Sequence, residues 1–211
     1  MTELVFLLDN SGSMHGLESD TIGGFNAMIE KQKKDPEKTV VSVVTFNSAS
    51  RVIYDRVPLD QIPVMTAKDY RTGGSTALLD ALGDSIRYIG HLHKQMPKEQ
   101  VPEKTVFVIT TDGMENSSRK YTYADVKKKI EKKQNKHGWE FLFLGANMDA
   151  VKEAGRFGIA ADHATNYKSD SVGTALNYEV LSDAVSELRR GRKLSSEWSM
   201  RIDEDYKNRN N

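Results

Sequence analysis

Two aspartates and three hydroxyl residues, spread over three short stretches, are the side chains in this chain best suited to chemistry: Asp9, Ser11 and Ser13 in VFLLDNSGSM, Thr76 in TGGSTALLDAL, and Asp112 in VFVITTDGMENSS. All are hard oxygen donors, with no His or Cys among them. Such a set selects a hard divalent ion, Mg²⁺ first, with Mn²⁺ or Ca²⁺ as substitutes and zinc disfavoured. Two carboxylates and at most five protein ligands leave an octahedral ion at least one position for water or an outside oxygen. An ion so sparsely held by anionic donors is a receptor for a carboxylate.

The spacing also says where these groups belong. Leu4–Leu8 is apolar on both sides of the alternation, as a central parallel strand covered on two faces must be, and Asp9 follows it directly. Asn10–Gly16 then makes a loop on which Ser11 and Ser13, two apart, can turn their hydroxyls toward the point that Asp9 faces. Val106–Thr110 repeats the buried-strand pattern, with Asp112 just past its end. If the two strands are neighbours, right-handed crossovers bring both carboxylates to the crevice at the carboxyl ends of the sheet, where open α/β folds collect ligand groups. Gly73 and Gly74 let a third loop approach, and either Ser75 or Thr76 supplies a hydroxyl at the start of a helical pattern.

The remaining elements follow from periodicity. Runs rich in β-branched and aromatic residues at Thr39–Phe46, Arg51–Val57, Thr105–Thr110 and Glu140–Leu144 predict strands. Apolar residues at helical spacing (Ile22, Phe25, Ile29; Leu79, Leu82, Ile86, Ile89; Tyr123, Val126, Ile130; Leu181, Ala184, Leu188) predict helices between or after them. The link Asn47–Ser50 is too short for a crossover, so the second and third strands form an antiparallel hairpin. A small helix is expected near Asp149–Phe157 and a short sixth strand at Asp162–Thr165. The expected fold is an α/β, Rossmann-like, doubly wound sheet of about six strands, mostly parallel, with one antiparallel edge strand and helices on both faces. Residues 1–190 read as one domain and 191–211 as a charged C-terminal tail or helical extension. Within that tail Trp198 is either a docking anchor or a residue folded back on the body.

On these residues the chain resembles the von Willebrand factor type A domain family and its metal-ion-dependent adhesion site. That signature is Asp-x-Ser-x-Ser, a distant Thr and a distant Asp, met in order by Asp9, Ser11, Ser13, Thr76 and Asp112. The pattern Thr-Ala-Leu-x-Asp-Ala implies Thr76 rather than Ser75. GLESDTIGGFNAMIEKQK and FLFLGANMDAVKEAGRFGI are similar to a bacterial and phage-associated subgroup of cytoplasmic members. The resemblance implies an ion held directly by the serines and the threonine, with the aspartates often acting through water. It also implies a protein partner whose Glu or Asp carboxylate completes the shell. The expected function is a metal-dependent protein-binding module, not an enzyme.

Composition narrows the alternatives. Thirty Lys+Arg balance thirty Asp+Glu over 211 residues, so no global field draws the chain to nucleic acid or to a membrane. Cysteine is absent and the N-terminus has no signal-like pattern, from which a cytoplasmic location is expected; the chain is also expected to be a monomer. A phosphohydrolase using Asp9 needs a second carboxylate two residues on, and that position is Ser11; a metal-free scaffold is the other alternative. Lys127, Lys128, Lys129, Lys132, Lys133 and Lys136 read as an exposed helix face, because no aromatic residues interleave to stack bases. Met14 and Met114, with His15, Gly113, Glu115 and the Gly73–Ser75 loop, are expected to rim the ion, and Asp80 to lie behind it or on the surface.

Overall fold

The computed structural model describes residues 1–209. Six strands, β1 (Thr2–Asp9), β2 (Thr39–Phe46), β3 (Ser50–Pro58), β4 (Lys104–Thr111), β5 (Glu140–Gly145) and β6 (Ala164–Asn166), form one sheet in the order β3-β2-β1-β4-β5-β6. Among the described residues only β2–β3 pairs antiparallel, and β3 is one of the two edge strands. The helices are α1 (Glu18–Gln32), α2 (Leu78–Gln95), α3 (Tyr123–His137), α4 (Ala150–Arg156), α5 (Ser171–Arg189) and α6 (Met200–Arg209).

The alternation of β1 explains the layering. Leu4, Phe6 and Leu8 join a core with Phe25 and Ile29 of α1 and Leu181 and Leu188 of α5, while Val5 and Leu7 join another with Leu82 and Ile86 of α2 and Val126 and Ile130 of α3. Burying each large apolar side chain contributes about 1.5–3 kcal/mol, so a strand buried on both faces is strongly held in register. The sixth strand begins two residues after Asp162, because Ala161–His163 form a single 3₁₀ turn in which Asp162 and Glu140 of β5 hold the His163 ring. From Gly191 the chain is irregular until α6, whose Ile202 is buried in the α1/α5 core. Trp198 packs on the same core and its Nε1 donates to Asp162 O at 2.7 Å, so of its two expected roles it takes the one folded on the body. No helix among the described residues is long and apolar enough to cross a membrane.

Two buried polar residues hold the helix ends. Arg189, the last residue of α5, is fully buried; its guanidinium donates to the carbonyls of Gln32, Asp35 and Glu37 and to Thr39 Oγ1. It thereby ties the last carbonyl of α1 to the link that follows and locks the corner into β2. Glu3 is equally buried, paired at 2.5 Å with both Arg56 and His93.

Candidate metal centre

β1 and β4 are adjacent, with Leu8 beside Thr110, so Asp9 and Asp112 emerge at the same edge of the sheet. The loop after Asp9 is laced to the loop before α2 by two backbone bonds, Gly12 N to Gly74 O at 3.0 Å and Gly73 N to Asn10 O at 2.9 Å. Gly74 is required there: its φ is +78°, and a Cβ would come within 2.7 Å of Ser48 Oγ. The β4–α3 loop is stapled to α2 as well. Glu115 accepts from Leu79 N at 2.9 Å and from Ser117 N and Ser118 N, and Asp80 accepts from the amides of Arg119, Lys120 and Tyr121. In effect Glu115 caps a helix that has no side-chain cap of its own.

These three loops bring the side chains together. Asp9 Oδ1 accepts from Ser11 N at 2.7 Å, Ser11 Oγ lies 3.0 Å from Ser13 Oγ, and Ser13 Oγ donates to Asp112 Oδ1 at 2.5 Å. Thr76 enters from the third loop: a Cβ placed on Gly113 would lie 3.3 Å from both Ser13 Oγ and Thr76 Oγ1, so one small residue touches both hydroxyls. Ser75 is turned elsewhere, its Oγ 2.9 Å from Ser48 Oγ. Asp9, Ser11, Thr76 and Asp112 are buried, whereas Ser13 is exposed, so the cluster is dry behind and open in front.

Electrostatics leave this cluster short of positive charge. Burial pushes the Asp9 carboxyl above the usual carboxylate range; hydrogen bonds from Thr111 and Ser11 oppose the rise, and the Asp112 charge adds to it. Burial likewise raises the Tyr167 phenol, with the Asp112 charge contributing. A small cation in front of the two carboxylates would offset both effects. Among the described residues no three His, Cys, Asp or Glu side chains are grouped to hold a metal, so this centre depends on its hydroxyls. Two carboxylate and three hydroxyl donors fit a hard divalent ion.

Several supporting residues lie outside the signature read from sequence. Thr111 Oγ1 donates to Asp9 Oδ2 at 2.5 Å, and Ser169, from the β6–α5 loop, donates to Asp112 Oδ2 at 3.2 Å. Tyr70 OH donates to Asp9 O, and Asn116 Oδ1 accepts from Thr76 N at 2.9 Å. Thr111 was open to notice as a polar residue ending an apolar strand; Ser169 and Tyr70 arrive only through long-range folding. Two rim expectations change, those for Met14 and Glu115. Met14 is buried beneath its loop while Met114 is 54% exposed, and the carboxylates of Glu115 and Asp80 are occupied in holding backbone amides.

A sequence profile of the von Willebrand factor type A domain matches residues 3–182. No curated protein matches the chain in sequence. Among solved structures, proximal thread matrix protein 1 from the mussel byssus, with a zinc-occupied MIDAS motif, is 14% identical with a TM-score of 0.58, covering 87% of this chain and 45% of its own. A von Willebrand factor type A protein from Catenulispora acidiphila is 18% identical (TM-score 0.57; 87% of this chain, 42% of its own). The D319A mutant of the PilB minor pilin from Streptococcus sanguinis is 12% identical (TM-score 0.61; 94% and 62%). At these identities the likeness is one of fold. The chain spans less than half the length of the mussel and Catenulispora chains.

Proposed function

The chain belongs to the von Willebrand factor type A domain family, a family of metal-dependent adhesion and protein-interaction modules, and on that premise we propose that it is a protein-binding module whose Asp9, Ser11, Ser13, Thr76 and Asp112 hold Mg²⁺. The observation that carries this reading is the convergence of the five side chains from three loops, with Ser13 joined both to Ser11 and to Asp112. When bound, the ion would supply a directional bond to an oxygen of the partner, for which a Glu or Asp carboxylate is the matching ligand. Asp9 and Asp112 provide the charge and are held in orientation by Thr111 and Ser169. Ser11, Ser13 and Thr76 provide neutral oxygens, so the site keeps its attraction for an anionic ligand.

Thr76 is favoured over Ser75 because its hydroxyl lies against Gly113 beside Ser13, whereas Ser75 bonds to Ser48. Gly113 keeps the approach open, and exposed Met114 offers an apolar contact at its edge. A binding role is preferred to catalysis because Ser11 occupies the position where an aspartyl phosphohydrolase carries its acid, and its hydroxyl is engaged with Ser13. Zinc in the mussel protein's motif supports divalent binding at such a site; the hard donors here favour Mg²⁺. The proposal includes a cytoplasmic, bacterial or phage monomer, the lack of cysteine supporting the reducing compartment.

Thermal unfolding after metal stripping, with and without Mg²⁺, tests the site in wild type and Asp112→Ala. At ten times the dissociation constant, linkage adds about 1.4 kcal/mol, or roughly 3–6 °C for a chain this long. A rise confined to wild type is the expected result, followed by capture of an acidic partner in Mg²⁺ but not in chelator. No rise at saturating Mg²⁺ would leave a metal-free scaffold. Mg²⁺-dependent phosphate-ester turnover lost in Asp9→Asn would make the chain an enzyme.

A further inference from the structure

The C-terminal halves of α2 and α3 run side by side and enclose a groove of about 260 Å³. Arg87, His91 and Lys94 form one wall, and Lys129, Lys132, Lys133 and His137 the other; among the described residues no Asp or Glu lines it. Since α2 starts at the candidate metal centre and runs away from it, the groove belongs to the opposite end of the molecule. Of its cations only Arg87 has an ion-pair partner among the described residues, Asp84 at 3.3 Å.

Two details show that these charges are gathered at a cost. A Cβ on Gly90 would lie 2.5 Å from Lys133 Nζ, so a glycine in the middle of α2 makes room for that ammonium, which sits 4.2 Å from the Trp139 ring centroid. Burial pushes the Lys133 ammonium below its ordinary range, and Lys94 and Lys132 push it further; burial also lowers His137, with Lys133, His93, Lys136 and Lys132 adding to the effect. Compensation of helix dipoles accounts for Lys94 and His137 in the last turns. It does not account for Arg87, Lys129 and Lys132, which lie more than a turn from either helix end.

We propose that this groove is a binding site for a compact polyphosphate anion, the shared chemistry of inorganic tripolyphosphate and of a nucleotide's phosphate chain. A concave site with cations on both walls matches a short chain of multiply charged phosphates, to which Arg and Lys give charge-assisted hydrogen bonds. Nucleic acid fits less well. The neighbouring aromatic faces that bases would stack on are already covered, Trp139 by Lys133 and Tyr121 by Lys129.

Titration calorimetry of the full chain in metal-free buffer, at matched ionic strength, tests this with sodium tripolyphosphate and with ATP. The double variant Lys94→Gln/Lys132→Gln removes two exposed cations that hold no ion pair. Lys127→Gln/Lys128→Gln removes the same charge from α3 outside the groove, Lys127 there being paired with Glu131 at 3.8 Å. The groove variant should bind roughly a hundredfold more weakly, about tenfold per lost charge-assisted contact, while the control stays within roughly threefold of wild type. Equal affinity for the two ligands means that the phosphate chain alone is read; tighter ATP binding means that a nucleotide is. Absence of binding to wild type, equal weakening in the control, or tighter binding of an oligonucleotide of matched charge would each overturn the proposal. Asp112→Ala should bind tripolyphosphate like wild type, so this site and the metal centre stand or fall separately.

Discussion

Gly113→Ala puts the smallest possible probe into the proposed metal centre. Its new Cβ would lie 3.3 Å from Ser13 Oγ and equally far from Thr76 Oγ1, tighter than carbon–oxygen contacts normally settle, so both hydroxyls must shift by a few tenths of an ångström. Both are ends of side chains on loops, and Gly113 does not lie in the left-handed backbone region, so the fold absorbs the methyl. Apo stability should change by less than about 1 kcal/mol. Metal binding should not absorb it, because displaced ligands typically cost 10–100-fold in affinity. At a Mg²⁺ concentration ten times the wild-type dissociation constant, a tenfold loss cuts the linkage stabilisation from about 1.4 to about 0.4 kcal/mol, and the shift in melting temperature to about 1–2 °C. A hundredfold loss leaves under about 0.1 kcal/mol. Scanning calorimetry across a Mg²⁺ series reads both quantities from one protein. A variant that melts like wild type without metal and shows the full wild-type shift would refute the assignment of Ser13 and Thr76 as ligands. A collapse of the metal-free melting temperature would refute the premise that the strain stays local.

Elsewhere in the molecule, Arg189→Met strips the hydrogen bonds from three carbonyls and the Thr39 hydroxyl while keeping an apolar chain of similar reach. A loss of about 3–5 kcal/mol is expected in urea titration, and a loss under about 1 kcal/mol would mean that water replaces the guanidinium. His163 is held above its ordinary range by hydrogen bonds to Glu140 and Asp162, against the effect of its burial. A raised folded value means that the contribution is complete below the unfolded value of about 6.5 and disappears as pH rises through the folded one. Wild type should therefore exceed His163→Asn in melting temperature at pH 6 and lose that advantage toward pH 9; a constant or growing difference would contradict the assignment.

What local sequence specifies in this protein follows the range of the interaction concerned. Strand β1 was legible because the consecutive apolar residues Leu4–Leu8 leave no polar face, as a parallel strand covered on both sides requires. The hairpin β2–β3 was legible from the short link Asn47–Ser50, and the grouping proposed for Asp9, Ser11, Ser13, Thr76 and Asp112 rests on three short motifs. The start of β6 was not, since its three residues owe their pairing to β5 rather than to any pattern of their own. Thr111 and Ser169 as supports of the two aspartates, Glu115 as the cap of α2, and Arg189 beneath the α1–β2 corner all depend on partners dozens of residues away. The same holds for the basic helix. Its lysines are plain in sequence, but the cations of α2 that turn an exposed face into a two-walled groove are not. Hydrophobic periodicity and turn chemistry act between near neighbours, and so the sequence alone determined the element types and the two-faced sheet, and carried the residues of the proposed donor set. Which side chains meet across loops, and which carboxylates are spent on the backbone, was decided by the packing of α2, α3 and α5 around that sheet.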